Sequence, residues 1–227
     1  MFNSSNSFLV SGITTNKNLQ DAQLNLNKNY SFITSKMNSI NLFPTEDKQT
    51  LKAEKLRFQF SFSSYSSYIT ISDSSDWNIG TSDFAIEMWI NSDANGSFAL
   101  FNHYESSNVD LRIIHHDVLG LLFYVNNTTY PTNGQSAVTL TANVWHHIVF
   151  TRVASTLKYY LDKLVVATQA SFTTNIQDYS GALEIGRVEQ STVFDGEIAI
   201  TRFYVGRGLS EKEVLQNFNA QRGRFGV

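Results

Sequence analysis

Two adjacent histidine pairs, His115-His116 and His146-His147, most invite a chemical reading, because imidazole binds metals and moves protons near neutral pH. Neighbours on a strand point to opposite faces, so neither pair can chelate one ion in the usual way. Packing or hydrogen-bonding roles are expected instead. His103, next to Tyr104, could share a rim loop with His115 and His116. The second candidate chemistry is glycoside hydrolysis. A retaining reaction needs two carboxyls about 5–5.5 Å apart, which alternate strand positions would place on one face. Asp83, Ala85 and Glu87 share that parity, but alanine holds the central place and no Glu-x-Asp-x-x-Glu run occurs. Glu87 reads as an ordinary polar position beside Trp89. The absence of cysteine removes thiolate nucleophiles, thiolate metal sites and disulfides. The many serines carry no nucleophile motif. No catalytic or cofactor-binding residue is assigned, and the chain is expected not to be an enzyme.

Such groups need a scaffold, and 227 residues suit one all-β domain with an appendage, long enough to bury a core unaided. A net charge of -3 provides no general field for nucleic acid or an anionic membrane. Arg202, Arg207, Arg222 and Arg224 make the C-terminal end locally basic, which strand and tail positions explain without phosphate contacts. No stretch approaches the roughly 20 apolar residues of a membrane helix. Met1-Phe2-Asn3-Ser4-Ser5 has no basic residue ahead of an apolar run, so a signal peptide is not expected and synthesis in a cytosol is.

Composition changes near residue 55. Residues 1–55 are dominated by Asn, Ser, Thr, Lys and Gln and read as an N-terminal arm or small assembly subdomain. Phe2, Phe8, Leu9, Val10, Phe32, Ile33, Ile40, Leu42 and Phe43 are more apolar groups than a solvated tail carries, so this arm is expected to order on a neighbour. From Leu56 the period becomes two: Leu56, Phe58, Phe60 and Phe62 alternate with Arg57, Gln59 and Ser61. Strands are expected here and at Tyr68–Ser72, Phe84–Asn91, Phe98–Tyr104, Val109–His115, Leu121–Val125, Val138–Leu140 and Trp145–Val153. Leu157–Leu161, Leu164–Thr168, Ala182–Arg187 and Glu197–Val205 complete them. Short strands between Asn, Asp, Gly and Ser indicate a sandwich or barrel over residues 56–227. Ser210 and Glu213 form a capping box for a short amphipathic helix running to Phe218.

Ordered landmarks resemble the concanavalin-A-like, laminin-G-like jelly rolls. Thr81-Ser82-Asp83-Phe84-Ala85-Ile86-Glu87-Met88-Trp89-Ile90 is similar to one family strand, and Trp145-His146-His147-Ile148-Val149-Phe150-Thr151-Arg152 to another. Leu157–Asp162, Leu183–Arg187 with Phe194–Ile198, and Gly208–Val214 follow in the family's order. The resemblance implies an antiparallel two-sheet jelly-roll sandwich, with Trp89, Trp145, His146, Tyr160, Gly186 and Gly196 as fold signature. Lys163 stands where the family's hairpin has Gly, so a different turn or a bulge is expected. Ala199 and Thr201 stand where many relatives carry acidic residues. Calcium is the one cofactor the resemblance leaves open, with Asp73, Asp76, Asp110 and Asp117 as candidate carboxylates and no calcium-loop motif. The fold hosts many functions. The run Val214–Gly226 looks like endings on laminin-G-like structural proteins of tailed phages. That implies a virion protein made in the host cytoplasm: a capsid decoration, fibre or tail subunit, homo-oligomeric and anchored to other virion proteins by its arm. The alternative is a carbohydrate-binding or adhesion module, for which Trp77, Tyr104, Tyr130 and Tyr179 are candidate sugar contacts. A glycoside hydrolase is the third reading.

Overall fold

The computed structural model describes residues 7–11, 60–62, 68–106, 108–132, 136, 138–188 and 192–227, with backbone alone at 7–11, 60–62 and 192. Its first strands are β1 (Ser7–Ser11), β2 (Phe60–Phe62), β3 (Ile69–Ile71), β4 (Phe84–Ser92), β5 (Phe98–Ser106), β6 (Val109–His116), β7 (Gly120–Val125) and β8 (Thr128–Tyr130). The remainder are β9 (Trp145–Val153), β10 (Thr156–Leu161), β11 (Leu164–Gln169), β12 (Leu183–Ile185), β13 (Arg187–Val188), β14 (Thr192–Val193) and β15 (Gly196–Val205). The helix α1 (Glu211–Phe225) ends the chain. The first sheet runs β1-β15-β4-β9-β10-β11, with β2 also on β15; the second runs β3-β12-β5-β6-β7-β8. The pairings are antiparallel. The molecule is the two-sheet jelly-roll sandwich that the alternation and the landmarks imply. No helix among the described residues is long and apolar enough to cross a membrane.

Alternation builds the core. Phe84, Ile86, Met88 and Ile90 of β4 meet Leu111 and Ile113 of β6, Phe123 of β7 and Ile185 of β12 between the sheets, all essentially inaccessible to solvent. Opposite-parity residues of β4 and β9 point away from this core, onto the surface that α1 covers. Ala85, Val149, Tyr160, Leu209 and Val214 form one small cluster there; Trp89, Ala199, Ile200 and Phe218 form another.

Several elements depart from expectation. Segment 138–140 is not a strand, and its Leu140 amide goes to the His115 side chain rather than to a neighbouring strand. The short strands β8 and β14 lacked enough alternating residues to be recognised. The helix extends seven residues beyond Phe218, through Gly223, because Phe225 stacks on Trp89 at 4.3 Å. Lys163 does not change the turn: Asp162 and Lys163 both adopt positive φ (46° and 74°), the usual two-residue hairpin without its glycine. Asp162 is held there by the His147 amide and the His146 ring, each at 2.8 Å. The bulge falls further in, between Tyr159 and Tyr160.

The arm also needs correction. Phe8, Leu9 and Val10 stand opposite Phe203, Arg202 and Thr201 in β15, so part of residues 1–55 completes a sheet of its own chain. A bare β15 edge would expose a row of unpaired backbone groups; β1 and β2 cover it end to end. Phe2, Phe32, Ile33, Ile40, Leu42 and Phe43 lie outside the described residues.

Candidate functional site

Glu87, expected to be an ordinary polar position, is entirely buried beneath α1. Its parity on β4 turns it outward, and the elements beside and above it supply four partners. Its Oε1 lies 2.7 Å from His147 Nε2; its Oε2 accepts from Arg202 at 2.9 Å, Asn217 at 3.2 Å and Tyr204 at 3.4 Å. Burial disfavours the charge, but the His147 hydrogen bond and Arg202 outweigh it and hold the carboxyl below its ordinary pKa. Burial and the Glu87 carboxylate push the Tyr204 phenol up to about 12. An ionised, fully paired and covered carboxylate is a structural hub, and neither nucleophile nor proton donor has room to act there. Trp89 donates to Gln221 Oε1 at 2.5 Å and Trp145 stacks near Phe225 at 4.7 Å, so both signature tryptophans fasten the helix. Tyr160 packs under its first turn. Gly186 and Gly196 have φ of 82° and 139°, and a Cβ on Gly196 would lie 2.1 Å from the Asn91 carbonyl oxygen.

The other polar candidates do not converge. Asp73 faces His103 at 3.6 Å, Asp117 bonds Ser97 and the Val118 amide, Asp76 sits in the turn Ser75–Trp77, and Asp110 is buried beside Arg112. No group of three or more metal-ligating side chains occurs among the described residues. Three proposed sugar contacts are core groups. Trp77 is buried with its indole N–H on the Ser72 carbonyl, Tyr130 packs edge-on to Phe172, and Tyr179 is inaccessible. Their neighbours are loop-like, but the rings turn inward. Tyr104 stays half-buried.

What the sequence did not reveal is a row across the outer face of the second sheet. Register aligns Thr70, Glu184, Asn102, Arg112, Tyr124 and Thr129 on six consecutive strands. The rows on either side, with Ile69, Ile185, Phe101, Ile113 and Phe123 in one and Ile71, Leu183 and Leu111 in the other, enter the core, so this row points outward. Six strands span about 24 Å at the usual spacing. Arg187 pairs with Glu184 and stacks on Tyr68 at 3.4 Å; Arg112 lies over Tyr124 at 4.7 Å and donates to Asn127 at 3.2 Å. At the centre, Asn102 is fully buried, and neither its Oδ1 nor its Nδ2 has a hydrogen-bond partner among the described residues. A buried amide left unpaired costs roughly 1–3 kcal/mol.

The architecture is shared with proteins of known structure. Domain 4 of AbnA, an extracellular arabinanase from Geobacillus stearothermophilus solved with arabinotriose, superposes with a TM-score of 0.59 at 16% identity, over 71% of this chain and 77% of that one. The binding domain of Paraclostridial Mosquitocidal Protein 1 gives 0.53 at 19% identity over 72% of this chain, and that of botulinum neurotoxin serotype G gives 0.53 at 14% over 72%. This chain spans less than half the length of either toxin chain, 43% and 42%. These likenesses are of fold. No curated protein matches in sequence. A laminin-G-like family model does match, over residues 63–215, more than half of the chain, and the protein belongs to the concanavalin A-like lectin/glucanases superfamily.

Proposed function

We propose that this chain is a non-catalytic, lectin-like module of a virus particle that takes glycans on the outer face of its second sheet. The cross-strand row carries the reading. Sugars offer hydroxyls that donate and accept together, and Asn102 is a matching amide with both capacities unspent, reached once the side chains over it move aside. Glu184, Arg112, Tyr124 and two threonines flank it in register, with half-buried Ile114 two residues beyond Arg112 on the same face for the apolar side of a sugar ring. The arabinotriose complex of the arabinanase domain is in keeping with this use of the fold. The absence of catalysis is supported by the carboxylates: Glu87 is fully engaged, and Glu184 and Asp110 each lie against an arginine. The virion setting is supported by the likeness of the Val214–Gly226 run to phage structural proteins and by the apolar content of residues 1–55 beyond β1. In that setting the arm anchors the module to other virion proteins, and closed homo-oligomers are the usual outcome.

A glycan array probed with the whole chain, with and without added calcium, tests the ligand. Binding to a discrete set of glycans, lost in Asn102→Leu while the fold persists, is expected. Silence in both conditions from folded protein overturns the glycan reading, and absence of the chain from a mass-spectrometric inventory of purified particles overturns the virion setting.

A further inference from the structure

Ahead of β9, the described residues 138–143 run along the sandwich without joining a sheet. From Leu140 to Asn143 the chain gives four successive backbone N–H groups to four different acceptors. His115 Nε2 of β6 takes the Leu140 amide at 3.4 Å, and His146 Nε2 of β9 takes the Thr141 amide at 3.2 Å. Asn95 Oδ1 takes that of Ala142 at 3.0 Å, and the Ser92 carbonyl that of Asn143 at 2.7 Å. The remaining ring nitrogens fix the tautomers. His115 Nδ1 is 2.7 Å from the Gly96 carbonyl oxygen and His146 Nδ1 is 2.8 Å from the Asp162 carboxylate. Those oxygens only accept, so both rings carry their proton on Nδ1 and present a bare Nε2. Half of the anchors of this segment therefore exist only in neutral imidazole.

We propose that segment 138–143 is an acid-loosened latch on the sandwich rim, fully closed while His115 is neutral and freed at Leu140 when His115 takes up a proton. A proton on Nε2 of His115 turns an acceptor into a donor, so the Leu140 amide loses its partner while the ring bonds the Val138 backbone instead. The surroundings permit this. Around His115 stand the Phe98 ring at 4.8 Å, the Asp117 carboxylate, His116 and the backbone of Val138, with which a protonated ring can bond.

The sign follows for His115. Burial, only partly offset by the Gly96 and Val138 backbone and by Asp117, holds its pKa below the ordinary 6.5. Between that depressed value and 6.5 the unfolded chain binds more protons than the folded one, so closure weakens as pH falls through this window and is complete above it.

Backbone amide exchange on the whole chain, expressed as protection relative to unstructured amides, tests the latch at about pH 7.5 and about pH 5. Protection at Leu140 is expected to fall about tenfold, the equivalent of one lost hydrogen bond, while Ile148, Val149 and Phe150 keep theirs. Unchanged protection at Leu140 overturns the proposal. Ring nitrogen shifts give an independent reading: His115 should be the Nδ1–H tautomer at neutral pH, and an Nε2–H form overturns it. The variant His115→Gln offers a non-titrating oxygen near Nε2. It should stay latched in acid, and opening with the wild-type midpoint would again refute the mechanism.

Discussion

On the first sheet, the outward residues of β4 and β9 include Ala85, Glu87, Trp89, His147 and Val149, and α1 packs over that surface. On the second sheet, the outward row holds Glu184, Asn102, Arg112 and Tyr124, while α1 lies on the opposite side of the sandwich. Both faces arise from the same period-two alternation, and each buries a polar side chain at its centre. Glu87 has four partners and Asn102 has none. The difference lies in what each face is completed by. A covering helix evolved with its sheet can match a buried charge atom by atom, as Asn217 and Gln221 do. Asn102 is left without such a match among the described residues.

The largest test of that contrast is Glu87→Ala. It strands Arg202 without its counter-charge and His147 without its hydrogen-bond partner, and breaking a buried pair typically costs about 3–5 kcal/mol. Urea denaturation measures it, and a loss under ~1 kcal/mol would mean that the hub does not hold the helix. Acid separates charge from packing. Because the folded pKa of Glu87 is depressed, its contribution is present above the ordinary carboxylate value and lost as pH falls through the folded value. Stability of the wild-type protein should therefore drop more steeply below about pH 4.5 than that of Glu87→Gln.

The same experiment at Asn102 should give the opposite answer. Replacing an unpartnered buried amide by an apolar group of similar size removes no hydrogen bond, so Asn102→Leu is expected within about 1 kcal/mol of wild type. A destabilisation comparable to that of Glu87→Ala would show that the protein itself already satisfies the amide. It would also remove the basis for a ligand on that face.

The inner surfaces were legible because each strand carries its own alternation: Phe84, Ile86, Met88 and Ile90 declare the core side of β4 with no reference to other strands. Ser210 and Glu213 likewise announced the helix start within four residues. The outer surfaces were not legible, because their meaning lies in distant residues. Glu87 meets its partners 60, 115 and 130 positions away, and nothing near it distinguishes a hub from a solvated glutamate. The helix end was missed because Gly223 reads as a stop, whereas Phe225 is retained by Trp89 and Trp145. Asn102 looked like any polar residue beside Phe101, since only the assembled sheet shows which amides lack partners. The aromatic residues Trp77, Tyr130 and Tyr179 misled for the converse reason: loop neighbours do not decide where a ring points.

The smallest expected effect compares a hairpin from each sheet. Asn126-Asn127 and Asp162-Lys163 both hold two residues at positive φ. Asparagine tolerates this conformation, and here Asn127 accepts from Arg112 and Asn126 from Tyr179. Lysine does not, and a left-handed lysine costs roughly 1 kcal/mol relative to glycine. What retains it is its position against the helix: Lys163 Nζ lies 5.3 Å from the centre of the Phe218 ring, a contact worth about 0.5–1 kcal/mol. Lys163→Gly should therefore leave stability nearly unchanged in the wild-type background, because relief of strain and loss of the ring contact offset each other. In a Phe218→Leu background the same change should stabilise by about 1 kcal/mol, a coupling of at least ~0.5 kcal/mol across the cycle. Zero coupling in urea denaturation would mean that this turn contributes nothing to closing the first face, leaving Glu87, Trp89 and the apolar clusters to hold the helix alone.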